Sequence, residues 1–310
     1  MTTNELMTAW LDRCERERVK PRTYSRYKGL IVQHILPELG DTQIDDLGRR
    51  QISEFLTAHQ ADGNLRGGEA LSATSTNLML TVLNAAFTYA CDMDLLPANP
   101  CDRIRRVPGP PSRVDAFTRE EQRRLEEAIA AWEDRRLFGI LLCLYTGLRI
   151  GELLGLEWQD VDMEKGILHI QKTVYREKNA EGEWQLFVDR PKTAASERMV
   201  PLPGYLAEDL RIYRRGARSE FVIENKKAER MSIRSYQYLF ERLTEKAGVR
   251  KLNFHALRHT FATRALECGM DIKTLSELMG HKNATITLNR YAHSMMDTKI
   301  AAMNKLEKLF

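Results

Sequence analysis

Apolar residues recur every three or four positions along most of the chain. Leu6 and Trp10, with Cys14, mark a helix over residues 1–20. Tyr24, Tyr27, Ile31 and Ile35 predict a second, with Thr23 as its N-cap and Pro37 and Gly40 as its end. Leu47, Ile52, Phe55 and Leu56 place a third over 45–60. A Gly-rich loop over 61–68 separates it from a long helix over 72–93 (Leu78, Val82, Ala85, Phe87, Tyr89). Asn99-Pro100 and Pro108-Gly-Pro-Pro111 read as a linker. Beyond it, Thr118 and Glu121 form a capping pattern ahead of helices over 120–131 and 135–145. The period then changes to two: 166–175, 184–188 and 198–202 predict three strands of one small antiparallel sheet, with a turn at 179–182. Helical spacing returns over 206–214 and 235–247. Three short helices follow: Leu257, Phe261 and Ala265 before Gly269; Ile272, Leu275 and Met279 between Asp271 and Gly280; and a segment from Asn283 carrying Ile286 and Tyr291. Ile300, Met303 and Leu306 give the tail, 297–310, an apolar stripe of its own.

The pattern predicts a mainly α chain with a small antiparallel sheet: an all-helical domain over 1–106, a linker over 107–116 and an α+β domain over 117–310. The 310 residues suit two domains, and 43% hydrophobic with 29% charged residues suits a globular core in water. The longest apolar run, 138–145, is too short to span a bilayer, and Met1-Thr-Thr-Asn-Glu5 lacks the features of a signal peptide. The five cysteines form no Cys-x-x-Cys pair, so neither a zinc site nor a disulfide framework is expected, and a reducing cytoplasm is. The net charge is only +4, with the positive excess beyond the linker. Bulk charge does not by itself declare a nucleic-acid partner; such a partner requires the cations to be gathered on one face.

Polar residues stand out against the terminal apolar pattern. His255 and Arg258 lie three apart, which places them on one helical face beside the buried one. His281 follows a helix-ending glycine, and Tyr291 sits on the last helix. A cation, two imidazoles and a phenol at the edge of a packed core suit an anionic centre. A lone His-x-x-Arg is more often a solvated face, but two upstream stretches change that balance. Thr146-Gly-Leu-Arg149, with Glu152 after it, sets an arginine just past a helix-ending glycine. Arg190-Pro-Lys-Thr193 sets Lys192 in a turn between strands.

Together these residues resemble the tyrosine recombinase (phage integrase) family, whose pattern of Arg, Lys, His-x-x-Arg, His or Trp, and Tyr is met in order by Arg149, Lys192, His255, Arg258, His281 and Tyr291. The flanking words Thr-Gly-Leu-Arg, Pro-Lys-Thr and Leu-Met-Gly-His match as well. The resemblance implies a recombinase that cuts and rejoins DNA through a 3′-phosphotyrosyl link and a free 5′-hydroxyl, in a tetramer, with no metal or other cofactor. The absence of a carboxylate cluster, of Cys/His ligand spacing and of a Gly-rich phosphate loop argues the same way. Two arginines offer forks to phosphate oxygens. The resemblance implies Tyr291 as nucleophile, Lys192 as donor to the 5′ oxygen, His255 as proton partner of the tyrosine, and His281 as a hydrogen bond to phosphate or tyrosine, roles that the residue chemistry permits.

The first domain resembles the family's core-binding domain. Candidate DNA contacts there are Lys20, Arg22, Arg26, Lys28, Ser72, Thr74 and Asn77, each of which equally suits a solvated helix end. The expected partners are double-stranded recombination sites, further copies of the chain docked through the C-terminal helix (or that helix packed on its own domain) and an accessory excision protein, in the bacterial cytoplasm at the nucleoid. The excursion over 174–188 and the phrase ending at Arg198 look most like integrases of phages and conjugative transposons, without room for an amino-terminal arm-binding domain. A chromosome-dimer resolvase of the Xer kind and a type IB topoisomerase are the alternatives.

Overall fold

The computed structural model describes residues 1–62, 70–109, 115–178, 182–189, 197–281, 283–291 and 303. The chain divides into two compact units, Met1–Ser112 and Arg113–Phe310, each with its own apolar core.

In the first unit, α1 (Thr3–Arg16) starts on a capping box in which Thr2 and Glu5 each satisfy the other's backbone N–H. Next comes α2 (Pro21–Leu30), and here the expected Thr23 cap is corrected. The helix begins two residues earlier on Pro21, with Lys20 at the cap position and no side-chain cap bond. Proline suits that first turn because its missing N–H has no helical partner to lose. Nor does Pro37 end the helical path. A π-helical turn, Ile31–Ile35, leads into α3 (Leu36–Leu39), and the proline falls in the first turn of that segment. A 3-10 turn, Ile44–Asp46, then delays α4 (Arg49–Asp62) past the predicted start at 45. The last helix of the unit, α5 (Ala73–Asp92), is capped by Ser72, which accepts from Ser75 N–H. Leu6, Met7 and Trp10 pack with Ile31, Ile35, Ile52, Phe55, Met79, Leu83 and Phe87.

The second unit opens with α6 (Arg119–Ala131), capped by Thr118 and Glu121 as predicted. A 3-10 turn leads into α7 (Phe138–Thr146), and α8 (Ile150–Gly155) follows. The strands differ from expectation. Val161–Asp162 (β1) was not foreseen, and the predicted strand 166–175 is broken into β2 (Ile167–Ile170) and β3 (Thr173–Lys178). These belong to separate sheets. One has the order β1-β2-β5, where β5 is Arg198–Pro201, and the other pairs β3 with β4 (Trp184–Asp189). All pairings are antiparallel. At the break, Lys172 Nζ reaches Glu157 (2.5 Å) and Asp160 (3.2 Å), and this tie turns the chain from one sheet to the next. Helices α9 (Gly204–Arg214), α10 (Ile233–Lys246), α11 (His255–Glu267), α12 (Ile272–Met279) and α13 (Ala284–Tyr291) complete the unit. Among the described residues no helix is long and apolar enough to cross a membrane.

Candidate active site

The site begins where α7 stops. Gly147 takes the left-handed conformation (φ 65°), and a Cβ there would lie 2.5 Å from Phe261, so both backbone and space require glycine. Arg149 follows in extended conformation, ahead of α8. Its backbone N–H donates to Glu152 Oε2 (2.9 Å) and its Nη1 to Glu152 Oε1 (2.6 Å). Glu152 is buried and also receives Arg198 Nη1 (3.2 Å) and Nη2 (2.9 Å). Burial opposes its ionisation, but the bond from Arg198 and the charges of Arg198 and Arg149 outweigh it and hold the carboxyl down at about 2.

Arg258, on α11, is 1% exposed. The expectation that it shares a semi-exposed face with His255 is corrected: one turn apart, the imidazole is exposed and the guanidinium lies in the core. Arg258 Nη1 donates to Gly147 O (2.6 Å) and Nη2 to Met279 O. Burial, and next the charge of Arg149, pulls it down to about 9, so it stays a cation at neutral pH.

The end of α12 collects all three guanidiniums. Leu278 O accepts from Arg198 Nε (2.6 Å), Met279 O from Arg258, and Gly280 O from Arg149 Nη2 (3.4 Å). The last carbonyls of a helix lack intrahelical partners and carry its negative dipole end, so successive cations there satisfy both. Gly280 itself is left-handed (φ 62°) and turns the chain toward His281. Three arginines against the one carboxylate of Glu152 leave the cluster net positive, with one of Arg258's five donors on Met279 O and another on Gly147 O. A net positive cluster of this kind suits an anion.

Tyr291, on α13, is 1% exposed and packs among Ala262, Ala265, Leu266, Leu275 and Met279. Its hydroxyl lies 2.6 Å from His259 Nδ1. His255, which the sequence names as proton partner of the tyrosine, meets the His259 ring edge-on at 4.7 Å. His281 Nδ1 lies 2.7 Å from the hydroxyl of buried Thr287. Lys192 and the tail 297–310, apart from Met303, lie outside the described residues. Arg198 and His259 were the omissions. Arg198 closes the Pro-Lys-Thr phrase, and His259 falls one turn after His255, facing the helix that carries the tyrosine. Among the described residues no three His, Cys, Asp or Glu side chains gather as metal ligands.

In the first unit, Lys20, Arg22, Arg26, Lys28 and Thr74 are exposed. Ser72 is occupied as a cap. The Asn77 side-chain amide exchanges two hydrogen bonds with the Val107 backbone, both 2.9 Å, Nδ2 donating to Val107 O and Oδ1 accepting from Val107 N–H.

Three arginine forks gathered on one helix end, with a phenol packed against the same helix, have the chemistry suited to a phosphoryl group. Residues 116–298 match the phage integrase family, and residues 2–58 match the phage integrase N-terminal SAM-like domain. The chain belongs to the phage integrase family, the tyrosine recombinases that break and rejoin DNA strands. It is 31% identical to the tyrosine recombinase XerC-like of Caldanaerobacter subterraneus subsp. tengcongensis, over 100% of this chain and 84% of that protein. It is 30% identical to the transposase from transposon Tn916 of Enterococcus faecalis, over 85% of this chain and 69% of the relative. A solved structure of the Tn1549 transposon integrase in complex with a circular intermediate DNA is similar throughout, with a TM-score of 0.82, 25% identity and 99% of each chain covered.

Proposed function

We propose that this recombinase integrates and excises a mobile element, with Arg149 and Arg258 on the non-bridging oxygens of the scissile phosphate. Tyr291 attacks phosphorus, leaving a 3′-phosphotyrosyl link and a free 5′-hydroxyl. Lys192 donates the proton to the departing 5′ oxygen, and His255 and His281 hydrogen-bond the phosphate. The linkage conserves the phosphodiester's energy, so rejoining needs no nucleotide. The observation that carries this reading is the gathering of Arg149 and Arg258 on the end of α12, with Tyr291 packed against Met279 of the same helix.

The first unit holds the DNA beside the catalytic unit through Lys20, Arg22, Arg26, Lys28 and Thr74. Four copies assemble on two sites, the 297–310 helix docks on a neighbour, and an accessory protein biases the reaction toward excision. The likeness to the Tn916 transposase and the Tn1549 integrase supports a mobile element. The XerC-like relative favours a second reading, a chromosome-dimer resolvase. An excised circle formed from the ends of the flanking element supports the first; resolution of chromosome dimers with no such circle supports the second.

The test of the chemistry is Tyr291→Phe, which removes one hydroxyl and no charge. Site binding stays within a few-fold of wild type while the SDS-resistant complex with a nicked suicide substrate disappears. A persisting complex places the nucleophile elsewhere.

A further inference from the structure

The residue bonded to the tyrosine hydroxyl is not one of the six that match the family's pattern. We propose that His259 is a further catalytic residue, the base that takes the Tyr291 proton as the phenol attacks phosphorus and returns it when the strand is rejoined. The inference rests on reading Tyr291 as the nucleophile.

Three observations carry it. The first is contact: His259 Nδ1 lies 2.6 Å from the hydroxyl oxygen, within direct proton-transfer distance, with the rings edge-on at 5.9 Å. The second is seclusion. With Tyr291 1% exposed in an apolar seat, bulk water is a poor acceptor for its proton and the imidazole is already in place. The third is the surrounding charge. Arg258 lies near enough to interact electrostatically with an ionised Tyr291, so its guanidinium stabilises the phenolate character that develops when the proton leaves. A phenol ionises near 10 and is a weak nucleophile at neutral pH; an imidazole ionises near 6.5 and is matched to accept its proton there.

The step balances. The Tyr291 O–H bond breaks and its proton goes to Nδ1, which requires the tautomer with hydrogen on Nε2. The oxygen forms the bond to phosphorus. The P–O5′ bond breaks with its electron pair, and the 5′ oxygen takes a proton from the acid, Lys192 in the reading above. Rejoining reverses each transfer. Among the described residues, the titratable and charged groups around His259 include His255 and Arg258 on α11 and Tyr291 on α13, with Arg149, Glu152 and Arg198 acting through Arg258 and His281 held to Thr287 of α13.

The experiment is single-turnover cleavage of a nicked suicide duplex between about pH 5.5 and 9.5 by full-length wild type, His259→Gln and His255→Gln, with site binding as the check on folding. Wild type is expected to rise through an imidazole ionisation and level off. His259→Gln is expected to be about 10²–10³-fold slower at pH 7 and to climb toward wild type as pH approaches the phenol's own ionisation, because hydroxide then supplies the missing base. His255→Gln is expected to keep the shape of the wild-type profile. A loss that is equal at every pH, or no loss, overturns the proposal, as does a profile that changes with His255 instead. If His259→Gln does not bind DNA, His259→Asn is taken through the same profile. 3-Fluorotyrosine at position 291, a more acidic phenol, is expected to recover rate in the His259 variant more than in wild type; equal effects in both count against the base. Tyr291→Phe separates the two levels: a covalent complex from it fails the underlying reading, whereas an inactive Tyr291→Phe beside a wild-type-like His259→Gln fails this inference alone.

Discussion

Arg149 is the least buried of the three guanidiniums at the end of α12: its side chain is 37% exposed, against 6% for Arg198. It is therefore the one best placed to meet an incoming phosphate, while Arg198 braces Glu152 behind it. Arg149→Lys keeps the charge but loses the fork shared among Glu152, Gly280 and the substrate. Cleavage is expected to fall about 10²–10³-fold with DNA affinity little changed, as for loss of one oxyanion donor. A strand with a 5′-bridging sulfur separates this defect from that of Lys192→Ala. The sulfur leaves without a proton, so Lys192→Ala regains near wild-type single-turnover rates on it and Arg149→Lys does not. Equal slowing of Lys192→Ala on both strands removes the lysine from the acid role. At this scale local words were legible, such as the glycine that ends a helix just before Arg149, whereas the burial of Arg258 and the part played by Arg198 depend on packing between distant segments. The sequence was least legible where identical residues competed. His255 and His259 lie one turn apart on the same helix, and only the packing of α13 decides which imidazole meets the phenol.

Among the elements, α12 is where architecture and chemistry meet, and its C-terminus depends on Gly280. Gly269 ends α11 in the same left-handed conformation, but a Cβ there meets nothing within 4 Å, whereas at Gly280 it would lie 3.0 Å from Arg198 Nη1. Both Gly→Ala variants incur the left-handed strain, about 1–2 kcal/mol, measurable by denaturant unfolding. Only Gly280→Ala is expected also to slow cleavage, by moving Arg198 and through it Glu152 and Arg149; comparable cleavage by both variants would mean that the arginines do not depend on this turn. Helix ends of this kind were readable from Thr118, Asp271 and the glycines, because caps are local chemistry. The broken strand was not. Alternation over 166–175 is the same whether the residues form one strand or two, and the tie from Lys172 to Glu157 and Asp160 is a contact between residues more than ten apart in sequence. Pro37 was misleading for a related reason, since a π turn resets the helix before it.

The two units of the molecule respond to acid through different groups. In the catalytic unit the fold favours ionised Glu152, held at about 2. Its contribution is complete above the ordinary carboxylate value of about 4.3 and is lost as pH falls from there toward 2. In the first unit, burial and then neighbouring His59 lower the His34 imidazole. There the fold favours the neutral ring, so stability declines once pH drops below the ordinary imidazole value of about 6.5. Hydrogen exchange corrected for intrinsic rates is expected to show the first unit loosening at mildly acid pH and the second only below about 4.3, with Glu152→Gln flattening the second response. Opening of the second unit first contradicts this order. The division after Ser112 falls beside the proline-rich stretch 108–111 in the sequence, where the apolar periodicity lapses.

The central claim is that one tyrosine becomes covalently joined to DNA within the arginine cluster at the end of α12. The most direct measurement is mass spectrometry of the protein trapped on a suicide duplex, after nuclease and protease digestion. The account predicts a single modified peptide, containing Tyr291, with the 3′-phosphate of the cleaved strand on its phenolic oxygen. A nucleotide adduct on any other of the chain's 10 tyrosines, or on a serine, or a trapped strand carrying a 5′ linkage, would contradict it.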